Sequence, residues 1–143
     1  MRRYGESVYF DVQYRPRPGA YGVILHRGKV LLTCEELNET EIQLPGGGID
    51  AGETAVQALY RECLEETGWK VQIIRRLGAY QRFTHMPEYG FWAQKICHIY
   101  LCKPVLKLHE PLEPFHTVVW KDAFEGLKLL TNEGDRDFLA SAI

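Results

Sequence analysis

Apolar and polar positions along this chain alternate with the period of a strand over most of its length, and turn to a helical period in few places. Alternating or β-rich runs predict strands at 7–14, 20–26, 29–34, 70–74, 77–83, 91–101 and 115–120, with a short apolar segment at 42–44. Arg27-Gly28 lies between the second and third runs, as in a hairpin, and Arg15-Pro16-Arg17-Pro18-Gly19 is expected to break the chain after the first. The acidic stretch 35–41 and residues 84–90 read as loops, and 105–114 as a proline-punctuated connection. Helical patterns occupy 54–68 and 132–142, with a short helix at 122–126. No repeat, low-complexity tract or linker interrupts the order, so residues 1–143 are expected to form one α/β domain, a mixed sheet between helices.

The helix at 54–68 is the best bounded of these elements. Thr54 and Gln57 have capping-box spacing, and Gly68 stands where a left-handed C-terminal cap belongs. Val56, Leu59, Tyr60 and Cys63 form its apolar stripe, flanked by Ala55 and Ala58. Glu62, Glu65 and Glu66 are spaced i, i+3 and i+4, so their carboxylates share a sector about 100° wide beside that stripe. Like charges at this spacing destabilise an isolated helix, and a divalent cation is the natural compensation. Carboxylate oxygens suit Mg²⁺ or Mn²⁺ rather than a soft metal. Three glycines, Gly46, Gly47 and Gly48, precede the helix and let the backbone turn and approach a ligand.

Gly47, Glu53, Arg61, Glu62, Cys63, Leu64, Glu65, Glu66, Thr67, Gly68 and Trp69 fall at the positions of the Nudix box, which here spans 47–69. The stretch resembles the Nudix hydrolase family, of MutT-like type; Cys63 and Trp69 replace the usual aliphatic residues with other apolar ones. The resemblance implies an α/β/α sandwich with a mixed central sheet and Mg²⁺-dependent hydrolysis of a diphosphate bond in a nucleoside diphosphate linked to another group. It implies that Glu62, Glu65 and Glu66 are catalytic, that they bind metal together with the Gly47 carbonyl, and that Glu53 and Arg61 form a structural pair. It leaves the base open, inside the box or on a later loop, where Glu88, Glu110, Glu113 and His116 are candidates.

Composition narrows the setting. With 45% apolar and 25% charged residues the chain is ordinary for a globular domain, and its net charge of −2 argues against a nucleic acid polymer as partner. No apolar run is long enough to span a membrane and the first residues lack a signal-peptide core, so a cytoplasmic protein is expected. Cys34, Cys63, Cys97 and Cys102 show no CxxC spacing and read as reduced thiols. The strand expected at 7–14 is a candidate edge for a homodimer.

The substrate is expected to be a small nucleotide. Leu130-Thr131-Asn132-Glu133 resembles the base-reading segment of MutT-type enzymes acting on oxidised dGTP, which would let Asn132 read a purine; alternatively Asn132 only caps its helix. Arg82, Phe83 and Tyr89 are further candidate substrate contacts, with Arg17 a possible phosphate contact and His85, Phe91 and Trp92 part of the same aromatic cluster. A (d)NTP or oxidised purine nucleotide is the first reading and ADP-ribose or a nucleotide sugar the second. A nucleotide-binding module without turnover is the alternative from another class, and the complete acid set argues against it.

Overall fold

The computed structural model describes residues 1–35, 41–87 and 89–143. In chain order the elements are β1 (Arg2–Gly5), β2 (Tyr14–His26), β3 (Lys29–Glu35), β4 (Glu41–Gln43), β5 (Gly46–Gly48), α1 (Ala55–Thr67), β6 (Trp69–Met86), β7 (Phe91–Lys107), β8 (His116–Asp122), α2 (Ala123–Leu129) and α3 (Glu133–Ala142). Most of residues 35–41, expected as a loop, and the candidate base Glu88 lie outside the described residues.

The strands run in the order β1-β6-β7-β2-β3-β4, with β5 added to β2 and β8 to β3. β1 lies parallel to β6 and β2 parallel to β7, while the other pairs are antiparallel, so the sheet is mixed. One face buries Ala20, Ile24, Leu31, Tyr100 and Cys102 against Ala58, Leu59 and Cys63 of α1. The other buries Val23, Tyr80, Cys97 and Ile99 against Leu130 and Leu139 at the C-terminal end. The result is the expected α/β/α sandwich. No helix among the described residues is long and apolar enough to cross a membrane.

Several expectations shift. The segment 7–14 is not a strand until its last residue; strand β2 begins at Tyr14 and runs through the Arg15–Gly19 stretch that was expected to break it. Prolines fit there because, among the described residues, the strand's first half has a partner on one side only: β7 pairs along it, but β5 joins only from Gly19. The Pro18 carbonyl accepts from Ile49 N–H at 3.0 Å, away from β7. Pro16 and Pro18 therefore direct their missing donors to the open side, where no ladder bond is lost. The outermost strand at that end of the sheet is β1, not 7–14, and it is seated on β6 at Tyr80–Phe83.

Residues 70–74 and 77–83 merge into the single strand β6, which extends through Met86 and absorbs its irregularities in three register shifts against β7. β7 likewise continues through Pro104 to Lys107, into what reads from sequence as a connection. The helical expectations hold, with Thr54, Asp122 and Asn132 as the N-caps of α1, α2 and α3.

Candidate metal centre and active site

The local chemistry of α1 fixes where its acids point. Thr54 and Gln57 form the reciprocal capping box, and Gly68 closes the helix in the left-handed conformation, its N–H donating to Leu64 O. The buried face is Ala58, Leu59, Cys63, Glu66 and Thr67, whereas Val56 and Tyr60 of the expected stripe are exposed. At 3.6 residues per turn, Glu66 lies about 20° from Leu59 around the axis. It thus stands within the buried face rather than beside it, and is only 7% exposed. Burial pushes its carboxyl up to about 8, with the Thr33 side chain and the Gly46 amide pulling the other way. Glu62 is raised too, again by burial first, with Arg61 opposing it.

Arg61 organises the exposed side of the cluster. Its Nε and Nη2 donate to the two oxygens of Glu53 at 2.8 Å each, a bidentate pair that pulls the Glu53 carboxyl down to about 2. Its Nη1 donates to Glu62 at 2.9 Å and to Glu65 at 3.4 Å, and Nη2 donates to the Gly48 carbonyl at 3.1 Å. The helix, the glycine strand β5 and the loop between them are held by one guanidinium. Replacing Arg61 by Gln is expected to lower kcat/KM about 10- to 100-fold, with Arg61→Lys restoring little of it because an ammonium cannot make the fork. Steady-state kinetics on both variants check this, and full recovery by lysine would show that charge alone matters.

A second segment brings acid to the cluster. Leu108 N–H donates to Gly68 O at 2.8 Å and Leu112 N–H to Glu65 O at 2.9 Å, so residues 108–112 are strapped across the C-terminal carbonyls of α1. That strap delivers Glu113 to the helix. Donor atoms of Glu62, Glu65 and Glu113 lie within 4.8 Å of one another, as do those of Glu66, Glu113 and His116. His116 Nε2 lies 3.6 Å from Glu113 Oε2, while its Nδ1 is buried and has no partner among the described residues. Glu110, by contrast, turns away: it is bonded to Lys107 at 2.8 Å, is 82% exposed, and joins neither group.

The donor set suits a hard divalent cation. Glu113 belongs to both acid groups, which do not otherwise merge; Arg61 is the one Arg or Lys paired with Glu62 and Glu65 among the described residues, and the available atoms are mostly oxygens. A Cβ on Gly47 would lie 2.5 Å from the Glu62 carboxylate, so any side chain there would fill the space in front of the acid. The ladder bonds from Gly22 N–H to Pro45 and from Ile49 N–H to Pro18 flank the Ala20–Gly47 pair, which therefore faces itself across β2 and β5. A carbonyl engaged in that way keeps a second lone pair.

The other candidate residues divide into two places. Arg82, Phe83 and Asn132 line a cleft of about 290 Å³ with Gly5, Glu6 and Thr131. Asn132 does cap α3, its Oδ1 accepting from Gly134 N–H at 2.8 Å, but the same residue faces this cleft. Tyr89 does not line it; it is 58% exposed and the Arg17 guanidinium lies 5.1 Å from its ring centre. The remaining aromatics pack on one another, Tyr14 against Phe83 and Trp92, and His85 against Trp92, rather than forming an open slot.

Sequence reasoning missed Tyr21, Lys95 and Asp135, which gather beneath Asn132 and Arg82. Asp135 is 5% exposed; it accepts from Tyr80 O–H at 2.7 Å and from Leu44 N–H at 3.3 Å, which seats the start of α3 on the sheet. Lys95 had a legible signal. Ala93, Cys97 and Ile99 share its parity in β7 and are buried, so a lysine stands at an inward position.

A family model described as the NUDIX domain matches residues 15–141. The chain belongs to the NUDIX family. Among curated NUDIX relatives, a Bacillus subtilis protein whose name gives it, provisionally, as an 8-oxo-dGTP diphosphatase is 38% identical over 64 residues, 45% of this chain and 43% of that one. An RNA pyrophosphohydrolase of Erwinia tasmaniensis is 42% identical over 69 residues, 48% of this chain and 38% of that one. The matched stretch thus spans less than half of either relative. The NUDIX fold is shared with a hydrolase from Nitrosomonas europaea, at TM-score 0.72 and 20% identity over 90% of this chain and 88% of that one. A MutT NUDIX hydrolase from Burkholderia pseudomallei gives TM-score 0.68 and 22% identity over 90% and 99% of the two chains.

Proposed function

We propose that this protein hydrolyses a diphosphate bond in a small nucleotide, with Mg²⁺ as the preferred cofactor and Mn²⁺ as a substitute, and that its first substrate class is a purine (d)NTP or its oxidised form. The observation that carries this reading is the two acid groups that share Glu113, one with Glu62 and Glu65 and one with Glu66 and His116, beside a glycine strand, with Arg61 bonded to Glu62 and Glu65. Glu62, Glu65 and Glu66, with the Gly47 carbonyl, would hold the cation. A bound divalent ion supplies charge neutralisation for the diphosphate and activation of water.

The chain's own residues supply the rest. Arg61 fixes Glu62 and Glu65 in place and ties Glu53 to the helix, so the acids meet the substrate preorganised. Glu113 touches both acid groups yet is 37% exposed, so its carboxylate can reach water; we assign it the role of accepting the water's proton, with His116 orienting it. Arg82, Phe83 and Asn132 would receive the nucleoside in their cleft, where the Asn132 amide can bond a purine edge. The names of the two curated relatives, the first given provisionally as an 8-oxo-dGTP diphosphatase and the second as an RNA pyrophosphohydrolase, are both of this reaction type. The four free thiols, with Cys63, Cys97 and Cys102 buried, fit the reducing cytoplasm.

The test is hydrolysis with added Mg²⁺ over dGTP, 8-oxo-dGTP, other nucleoside triphosphates, ADP-ribose and nucleotide sugars, with products identified by mass. Nucleoside monophosphate and pyrophosphate, fastest from a purine triphosphate, are expected. AMP and ribose phosphate from ADP-ribose would replace this substrate class by the second. Tight binding with every substrate left intact would make the protein a binding module.

A further inference from the structure

One wall of the cleft under Asn132 comes from outside the stretch that the family shares. The NUDIX match begins at residue 15, whereas Gly5 and Glu6, at the end of β1, line that cleft with Arg82, Phe83 and Asn132. β1 is firmly seated. It pairs in parallel with β6, Tyr4 opposite Arg82 and Gly5 opposite Phe83. The Tyr4 ring is buried edge-on against Tyr80 at 5.3 Å, and its hydroxyl donates to Asp137 of α3. The strand is thus tied both to the sheet and to the helix that Asn132 caps.

Gly5 sets the direction in which the chain leaves β1. Its φ is 84°, and a Cβ there would lie 2.6 Å from Arg82 Cγ, so only glycine lets the backbone turn while resting on the Arg82 stem. Glu6 follows at once, exposed at the rim of the cleft. Among the described residues it forms no ion pair, whereas Glu133, the other carboxylate of the cleft, lies 3.9 Å from Arg136.

The opposite side of the cleft offers a donor. Asn132 Oδ1 is taken by the Gly134 N–H at 2.8 Å, so the amide nitrogen is the group left to meet a ligand. A donor at Asn132 and an anionic acceptor at Glu6 complement a base edge that carries one acceptor and two donors. Guanine has that edge: O6 accepts, and N1–H and the 2-amino group donate. Adenine presents an amino donor where guanine has O6, and its N1 carries no proton.

We propose that Glu6 determines which base is accepted: its carboxylate takes N1–H and the 2-amino group of guanine while the Asn132 amide donates to O6. The inference rests on the diphosphate-hydrolysis reading and assigns the choice of base within it. Oxidation at C8 leaves this edge unaltered, so the contact treats dGTP and 8-oxo-dGTP alike. Glu6 lies ahead of the stretch that the family model matches, so the contact is supplied by this chain's own N-terminal strand.

The test compares kcat/KM for dGTP, dITP and dATP. Deoxyinosine keeps O6 and lacks the 2-amino group, so Asn132 meets it as it meets guanine and Glu6 does not. In the unaltered protein dGTP is expected to exceed dITP about tenfold and dATP by more. Glu6→Ala, at an exposed position, is expected to bring the dGTP:dITP ratio toward one. Asn132→Asp keeps the oxygen that caps α3 and removes the donor; it is expected to lower dGTP and dITP together relative to dATP. A dGTP:dITP ratio of one in the unaltered protein, or a ratio that survives Glu6→Ala, would overturn the assignment while leaving the diphosphatase reading in place. So would loss of the ratio in Glu133→Ala but not in Glu6→Ala. If no substrate is cleaved, that reading fails, and calorimetric binding of dGMP against dIMP decides the contact by itself. Equal affinities would refute it, and tighter binding of dGMP that is lost in Glu6→Ala would sustain it.

Discussion

Replacing Glu66 by Gln is expected to reduce kcat about 1,000-fold or more while the protein stays folded. The side chain keeps its volume and loses only its charge, and it sits where α1 meets β5, in the group that it forms with Glu113 and His116. The same variant has a second signature. The Glu66 carboxyl is raised from its ordinary 4.5 to about 8 by burial. In metal-free protein the folded state therefore retains a proton that the unfolded chain releases between those values. Stability from this group is fully present below about 4.5 and is lost as the pH rises through about 8, by up to a few kcal/mol. Thermal melts in chelator should fall across that window, and Glu66→Gln should flatten the fall because its amide does not titrate. Added Mg²⁺ near pH 8 should restore the wild type and leave the variant unmoved. Near-wild-type turnover in Glu66→Gln, or an unchanged slope of melting temperature with pH, would remove Glu66 from the metal site.

Gly68→Ala is expected to cost about 3 kcal/mol or more and to lower activity with it. Gly68 has φ 77°, which alone costs about 1 kcal/mol for a residue with a side chain. The added Cβ would also fall 1.7 Å from the His109 carbonyl oxygen, so the strap must leave the end of α1. Glu113 lies just beyond that strap, and its displacement opens both acid groups. Gly52→Ala is the control: φ is 84°, but nothing lies within 4 Å of its Cβ, so only the conformational cost of about 1 kcal/mol applies. Urea denaturation of both variants separates the clash from the backbone term. Equal losses would mean that the strap yields freely and that Glu113 is not held by it.

The parts of this architecture that are legible in the sequence are those with local causes. The boundaries of α1 follow from Thr54, Gln57 and Gly68, because caps are satisfied within a turn. The Arg61–Glu53 pair is legible through the resemblance to the Nudix box, and both residues lie on one short stretch of chain. What escapes depends on partners far away. Pro16 and Pro18 read as breakers because nothing in their neighbourhood reveals that β7 lies on one side and open space on the other. Val56 and Tyr60 fit an apolar stripe as well as Leu59 does, but the sheet meets α1 on the face that includes Glu66. Glu113 and Glu110 are indistinguishable by composition. Only the bonds from 108–112 to the end of α1 show that the first is turned toward the box acids while the second pairs with Lys107.

The open side of β2 has one more meaning. A foreign strand approaching residues 14–18 would meet the carbonyl of Pro16, that of Pro18 being taken by Ile49 N–H, and no N–H donor at either proline. Each proline removes a rung that a cross-chain ladder would require, beside the exposed charges of Arg15 and Arg17. The stretch whose residues read as unfit for a strand is therefore a strand that resists being copied, one that leaves the mouth of the sheet clear at concentrations where a plainer edge would recruit its neighbours into fibrils.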